Sequence, residues 1–341
     1  MRTTESSESA ELNGSAGITK AAVPLTILTG FLGAGKTTLL NRLLSGDHGL
    51  RMAVLVNDFG AVNVDAELVV GVEDDMMSLA NGCVCCQIRD DLMEAVDRVL
   101  AADTPPEFIV LEASGVADPA SIFSTFNDPQ HRDRIRLDSV TCVVDAEQIF
   151  EHLDEAPELL MLKTRQIGCA DLVILNKVGL VTDEHVAWVR NWIDTVMNRV
   201  RILETDYCDV PYDVLLGAGR FSPEAQLESL EADHHGHDDQ DHGAQFGTWL
   251  FETDLPFDRD ALTSMVTKEL PASVLRCKGI ICVADDPDTR HALQVVGRRT
   301  EIQRLDGWAS SPRRSQIVAI GPVGAIDGPQ LDDAFTRCLA G

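Results

Sequence analysis

The chain has 341 residues, 45% of them hydrophobic, enough for a sizeable core and more than one domain. Its 28 Lys and Arg against 55 Asp and Glu give a formal charge of −27 without a basic cluster, which argues against nucleic acid as a partner. No apolar run reaches membrane-spanning length, and nine cysteines, unevenly spaced, point to reduced thiols in the cytoplasm rather than a disulfide framework.

Residues 1–22 are rich in Ser, Glu, Thr and Ala, lack an apolar h-region, and read as a disordered tail, not a signal peptide. An apolar run, Val23 to Leu28, then leads into Gly30-Phe31-Leu32-Gly33-Ala34-Gly35-Lys36-Thr37, and a helical pattern begins at Thr38. Strand, loop and helix in that order make the spacing a P-loop. Gly30, Gly33, Ala34, Gly35 and Thr38 belong to the phosphate cradle, Lys36 reaches the β/γ-phosphates, and the Thr37 hydroxyl ligates Mg²⁺. The following helix adds its dipole.

Further β-type runs each close on polar residues. Met52 to Val56 ends at Asn57-Asp58-Phe59-Gly60, and Met76 to Leu79 precedes Asn81-Gly82-Cys83-Val84-Cys85-Cys86 and an amphipathic helix from about Ile88 to Leu100. Phe108 to Leu111 ends at Glu112-Ala113-Ser114-Gly115, Ser139 to Val144 at Asp145, and Leu172 to Leu175 at Asn176-Lys177. Strands alternating with helices predict an α/β fold, a P-loop NTPase domain over 23–220 with a mainly parallel sheet and its ligands at the strand ends. From Phe221 to Asp258 there is no Lys or Arg, and residues 221–245 form an acidic, His-rich linker. Strands near 246–251, 274–283, 292–296 and 316–320, with helices near 260–269 and 327–339, predict a smaller α+β domain over 246–341.

The strand ends carry the chemistry. Glu112 fits the acid that orients the Mg²⁺ shell, unless it is only an exposed strand end, and Gly115 is placed to offer a backbone N–H to the γ-phosphate. Asp145 is a weaker candidate for similar duty. Cys83, Cys85 and Cys86 can converge on one soft cation, with Asp58 a candidate fourth ligand; three packed structural cysteines are the alternative. His234, His235, His237 and His242, interleaved with aspartates, make either an accessory site for Zn, Co or Ni or a solvated spacer.

Taken together, the P-loop, the Asn57 turn, the cysteine cluster, Glu112 to Pro119, Val143 to Ala146, Asn176-Lys177, Arg276 to Gly279 and Gln294 to Arg299 resemble the CobW-type metallochaperone GTPases. That family includes a cobalamin-biosynthesis member, zinc chaperones and nitrile hydratase activators. The resemblance implies a cytoplasmic GTPase using Mg²⁺, carrying Zn²⁺ or Co²⁺ on the Cys-x-Cys-Cys set, and delivering it to a metal-requiring client protein, with homodimerisation an option. In this reading an attacking water is placed by the loops after Asn57 and Glu112. Two departures stand out. Asp58 replaces the family's Glu, and Gly179 replaces the Asp that ends the guanine-reading N-K-x-D motif, which weakens the preference for GTP over ATP unless Asp183 or a backbone group substitutes. A metal buffer or sensor that binds nucleotide without vectorial transfer is the main alternative, and an ATP-using enzyme another.

Overall fold

The structure, a computed structural model, describes residues 22–46, 48–57, 76–78, 85–117, 119–126, 129–131, 133–151, 157–197, 200–216, 246–297, 299–308 and 312–340. Most of the expected N-terminal tail, residues 1–21, and the whole linker 221–245 lie outside the described residues.

Seven strands form the first sheet: β1 (Val23–Thr29), β2 (Met52–Asn57), β3 (Met76–Ser78), β4 (Phe108–Ala113), β5 (Ile135–Asp145), β6 (Leu172–Asn176) and β7 (Arg201–Thr205), in the order β3-β2-β4-β1-β5-β6-β7. Every pairing is parallel. Parallel sheets are covered on both faces, and the strands read accordingly as continuous apolar runs. Along β4, Phe108 and Val110 enter one core with Leu39, Leu40 and Leu43 of α1 (Lys36–Ser45), whereas Ile109 and Leu111 enter the opposite core with Leu92 and Val96 of α2 (Cys85–Leu100). The remaining helices of this layer are α3 (Pro119–Phe126), α4 (Pro157–Gly168), α5 (Asp183–Val196) and the short α6 (Tyr212–Leu215).

Because all seven strands run the same way, the segments leaving their carboxyl ends share one rim of the sheet. The P-loop leaves β1, the Asn57 turn β2, the cysteine segment β3, Glu112 to Gly115 closes β4, and Asn176-Lys177 closes β6. At about 4.8 Å per strand, β3 lies about 14 Å from β1 with only β2 and β4 between.

The second sheet is antiparallel, with β8 (Phe246–Thr253), β9 (Arg276–Ile281), β10 (Thr289–Val296), β11 (Arg299–Gly307) and β12 (Ser315–Pro322) in the order β11-β10-β9-β12-β8. Its core takes Leu262, Met265 and Val266 of α7 (Arg259–Lys268) and Leu331 and Phe335 of α8 (Gly328–Thr336). Two strands carry no apolar run that would announce them. β7 is short, and β11 is a largely solvent-facing edge whose charged residues suit an edge and hide the period.

The two sheets are joined by packing and by ion pairs. Leu275 and Ile320 enter the core of the first sheet, Arg201 Nε donates to Val274 O at 2.9 Å, and Arg299 Nε meets Asp171 Oδ2 at 3.0 Å. At the centre, Arg276 Nη2 meets both carboxylate oxygens of Asp138, at 2.8 and 2.7 Å, with both side chains essentially inaccessible.

Candidate functional site

The P-loop conformation follows from its glycines. Gly30 has φ +139, and a Cβ there would lie 2.2 Å from Val143 O, so only glycine lets the chain turn off β1 beside β5. Gly35, at φ +114, caps α1, whose first turn holds no acidic residue and leaves its positive end open to an anion. Lys36 is buried, its Nζ donating to Phe31 O at 3.3 Å, while Thr37 is half-buried and Gly33 and Thr38 are exposed. Ala34 is buried beneath the loop.

Glu112 is 3% exposed, which rules out the bland reading of an exposed strand end. It pairs in register with Leu28 of β1 and Val56 of β2, one residue short of the turn on each side. A carboxylate and the Thr37 hydroxyl are hard oxygen donors, and that pairing fits Mg²⁺. Gly115 packs on the crown of the P-loop: a Cβ on it would come within 2.9 Å of Leu32 N.

Asp145 differs from expectation. Its Oδ1 accepts from Glu147 N and Gln148 N, and its Oδ2 from Lys177 Nζ at 2.6 Å, so it braces Lys177 instead of facing a metal. Asn176 is buried and ties two loops together: Nδ2 donates to Ala34 O at 2.9 Å and Oδ1 accepts from Cys208 N at 2.9 Å. The segment after β7, Asp206-Tyr207-Cys208, thereby becomes a wall of the same site, which the sequence does not signal. Its Tyr207 and Cys208 have φ +54 and +53, and Cys208 Sγ donates to Gly35 O at 3.4 Å.

Cys85 and Cys86 open α2, which therefore starts three residues before the expected Ile88. Apolar periodicity is read from Ile88 onward, so it misses a first turn made of Cys-Cys-Gln. Cys83, Asp58, His234, His235, His237 and His242 lie outside the described residues. Among the described residues no group of three or more His, Cys, Asp or Glu is arranged to hold a metal ion. The six cysteines beyond the cluster are free thiols, and burial pushes the thiol pKa of Cys142, Cys208 and Cys277 up to about 12, which keeps them protonated at neutral pH. No helix among the described residues is long and apolar enough to cross a membrane.

Comparison with known proteins places this geometry in context. The nucleotide-binding domain described as CobW/HypB/UreG matches residues 24–204, and the C-terminal domain of the cobalamin synthesis protein CobW matches residues 246–339. The zinc chaperone CobW of Pseudomonas aeruginosa is 33% identical over 335 residues, covering 89% of this chain and 88% of its own. The zinc-regulated GTPase metalloprotein activator 1 of Dictyostelium discoideum is 27% identical over 328 residues, covering 84% and 68%. Among solved structures, the Zn(II)-bound YjiA GTPase of Escherichia coli aligns over 94% of this chain and 99% of its own, with 23% identity and a TM-score of 0.41.

Proposed function

Since the chain belongs to the CobW/HypB/UreG family and carries the CobW C-terminal domain, we propose that it is a GTP-hydrolysing metallochaperone that carries zinc to a metal-requiring client. The observation that carries the reading is topological. Cys85 and Cys86 begin α2, the helix that follows β3 in the chain, and parallel pairing sets the carboxyl ends of β3, β2, β4 and β1, the strand that leads into the P-loop, on one rim.

In this reading Gly30, Gly33, Ala34, Gly35 and Thr38 cradle the phosphates, and Lys36 swings from Phe31 O onto the β/γ-phosphates. Thr37 would hold and Glu112 would orient Mg²⁺, which would supply charge neutralisation at the phosphates. Gly115 turns its N–H to the γ-phosphate, and Asp58 helps place the attacking water. Asn176 and Lys177 hold the base side of the pocket. Loss of the γ-phosphate frees the β2 and β4 loops, and with them Cys83, Cys85 and Cys86. His234, His235, His237 and His242 form a weaker accessory store, because imidazoles on a long linker meet the cost of ordering each time they converge. Co²⁺ is the second cargo that the donor set admits.

Metal and triphosphate binding are then coupled, and by linkage each changes the affinity of the other by the same factor, about 5 to 150-fold. Competition against a chromophoric zinc chelator is expected to give tighter zinc binding with a non-hydrolysable GTP analogue than with GDP. The Cys83→Ala chain is expected to lose the tight site in both states. Equal zinc affinities in the two nucleotide states would reduce the protein to a metal buffer that binds nucleotide.

A further inference from the structure

We propose that Asp206 reads the guanine base in place of the carboxylate missing at Gly179. The inference rests on the GTPase reading above and names the residue that makes the site guanine-specific. The N-K-x-D motif ends here in glycine, and Gly179 sits in a short turn, Val178–Leu180, directly after Lys177, whose φ of +64 carries the chain off β6. Strands β6 and β7 are parallel neighbours with Asn176 opposite Thr205, so Lys177 and Asp206 leave the sheet side by side.

The side chain of Asp206 then enters the space that residue 179 leaves. Gly179 N donates to Asp206 Oδ1 at 3.0 Å, and a Cβ on Gly179 would lie 2.8 Å from Oδ2 and 3.3 Å from Cγ and Oδ1. Those three atoms are the nearest heavy atoms from outside the turn, and Asp183 is not among them. Asp183 instead sits in the first turn of α5, beside its cap Thr182.

The backbone bearing Asp206 is fixed on the nucleotide side. Its carbonyl accepts from Asp209 N at 3.1 Å and from Thr205 Oγ1 at 3.2 Å, and two residues on, Cys208 is bonded to Asn176 and to the P-loop at Gly35. Two consecutive non-glycine residues in left-handed conformation, Tyr207 and Cys208, persist only where the surroundings over-determine them, and such strain gathers at ligand sites. Asp206 itself is exposed, and its Oδ2 has no hydrogen-bond partner among the described residues. A carboxylate so placed accepts from the N1–H and exocyclic amine of guanine. Adenine offers a C–H and a lone pair on that edge, so the same carboxylate disfavours it.

The test is calorimetric titration of the full chain with GTP, ATP and XTP. Asp206→Asn is expected to weaken GTP by about 100-fold or more while gaining XTP, whose C2 carbonyl accepts from the new amide, and to leave ATP unchanged. Gly179→Asp alone sets two carboxylates against each other and weakens GTP, whereas Gly179→Asp with Asp206→Ala moves the acceptor back onto residue 179 and restores it. Equal weakening of GTP, ATP and XTP by Asp206→Asn would show a purely structural loop tie and overturn the proposal. Unchanged GTP binding in Asp206→Asn, or equal GTP and ATP affinities in the wild type, would overturn it and leave the P-loop reading standing. A wild-type chain that binds no nucleoside triphosphate overturns both.

Discussion

A Lys36→Ala chain is expected to lose at least about 10²–10³-fold in kcat for GTP hydrolysis, the cost of removing one preorganised donor from a site of developing negative charge. Lys36 is the first residue of α1, buried under the P-loop, and its Nζ donates to Phe31 O at 3.3 Å. Such a bond contributes about 1 kcal/mol net. The folded chain therefore changes little, by roughly 2–4 °C in Tm, while the phosphates lose a full positive charge. Zinc content at rest is expected to match the wild type, because the helix that opens with Cys85 and Cys86 follows β3, which lies three strands from β1. Single-turnover hydrolysis beside a melting curve separates the two effects. Hydrolysis at the wild-type rate would refute the P-loop assignment, and a collapse of Tm would assign Lys36 to the core instead.

The parts of the fold that are legible in sequence are those where one local feature suffices. Phe108 to Leu111 is apolar on both faces, and Leu25 to Leu28 is so except for the buried Thr26, so their burial in a parallel sheet shows as nearly continuous apolar runs. The spacing of Gly30, Gly33, Gly35, Lys36 and Thr37 is likewise a local requirement of phosphate binding. Gly179 is visible as a departure for the same reason. Its substitute is not, because Asp206 meets it through the parallel pairing of β6 with β7, across α5, and nothing near Asp206 in the chain records that register. Asp145 is misleading in the opposite way. An acid ending a strand suits a metal, but the left-handed turn at Lys177 brings an ammonium onto it at 2.6 Å. Asp138 stands just before the strand run expected from Ser139, so no local feature marks it, and it is the anchor of the other sheet.

Removing the Arg276 guanidinium is expected to cost about 3–5 kcal/mol, the usual result of leaving one member of a buried ion pair behind. Asp138 would keep its carboxylate at a position with no access to water, and Val214 O would lose the donor that Arg276 Nη1 supplies at 3.1 Å. Arg136, 3.7 Å from Asp138, and the buried Lys278 remain and keep the loss toward the lower figure. A fall in Tm of about 6–20 °C follows for a chain of this size, and because the pair joins β5 to β9 it should loosen both sheets together. The pH dependence supplies the sharper check. Burial raises the Asp138 pKa, but Arg276, Lys278 and Arg136 outweigh it and hold the carboxyl at about 2, below its ordinary 3.8. A depressed folded value means stability that is present above the unfolded pKa near 4 and is lost as pH falls from there toward 2, worth about 2 kcal/mol in the wild type. Without Arg276 burial dominates, the folded pKa rises, and protonation now relieves the variant as pH falls. The gap in unfolding free energy between wild type and Arg276→Ala should therefore be widest at pH 7 and narrow by pH 4. Replacing the pair with Asp138→Asn and Arg276→Met removes the charge altogether and is expected to recover much of the loss. A gap that stays constant from pH 7 to pH 4, or a double variant no better than Arg276→Ala, would mean that the arginine acts through its packing and not through Asp138.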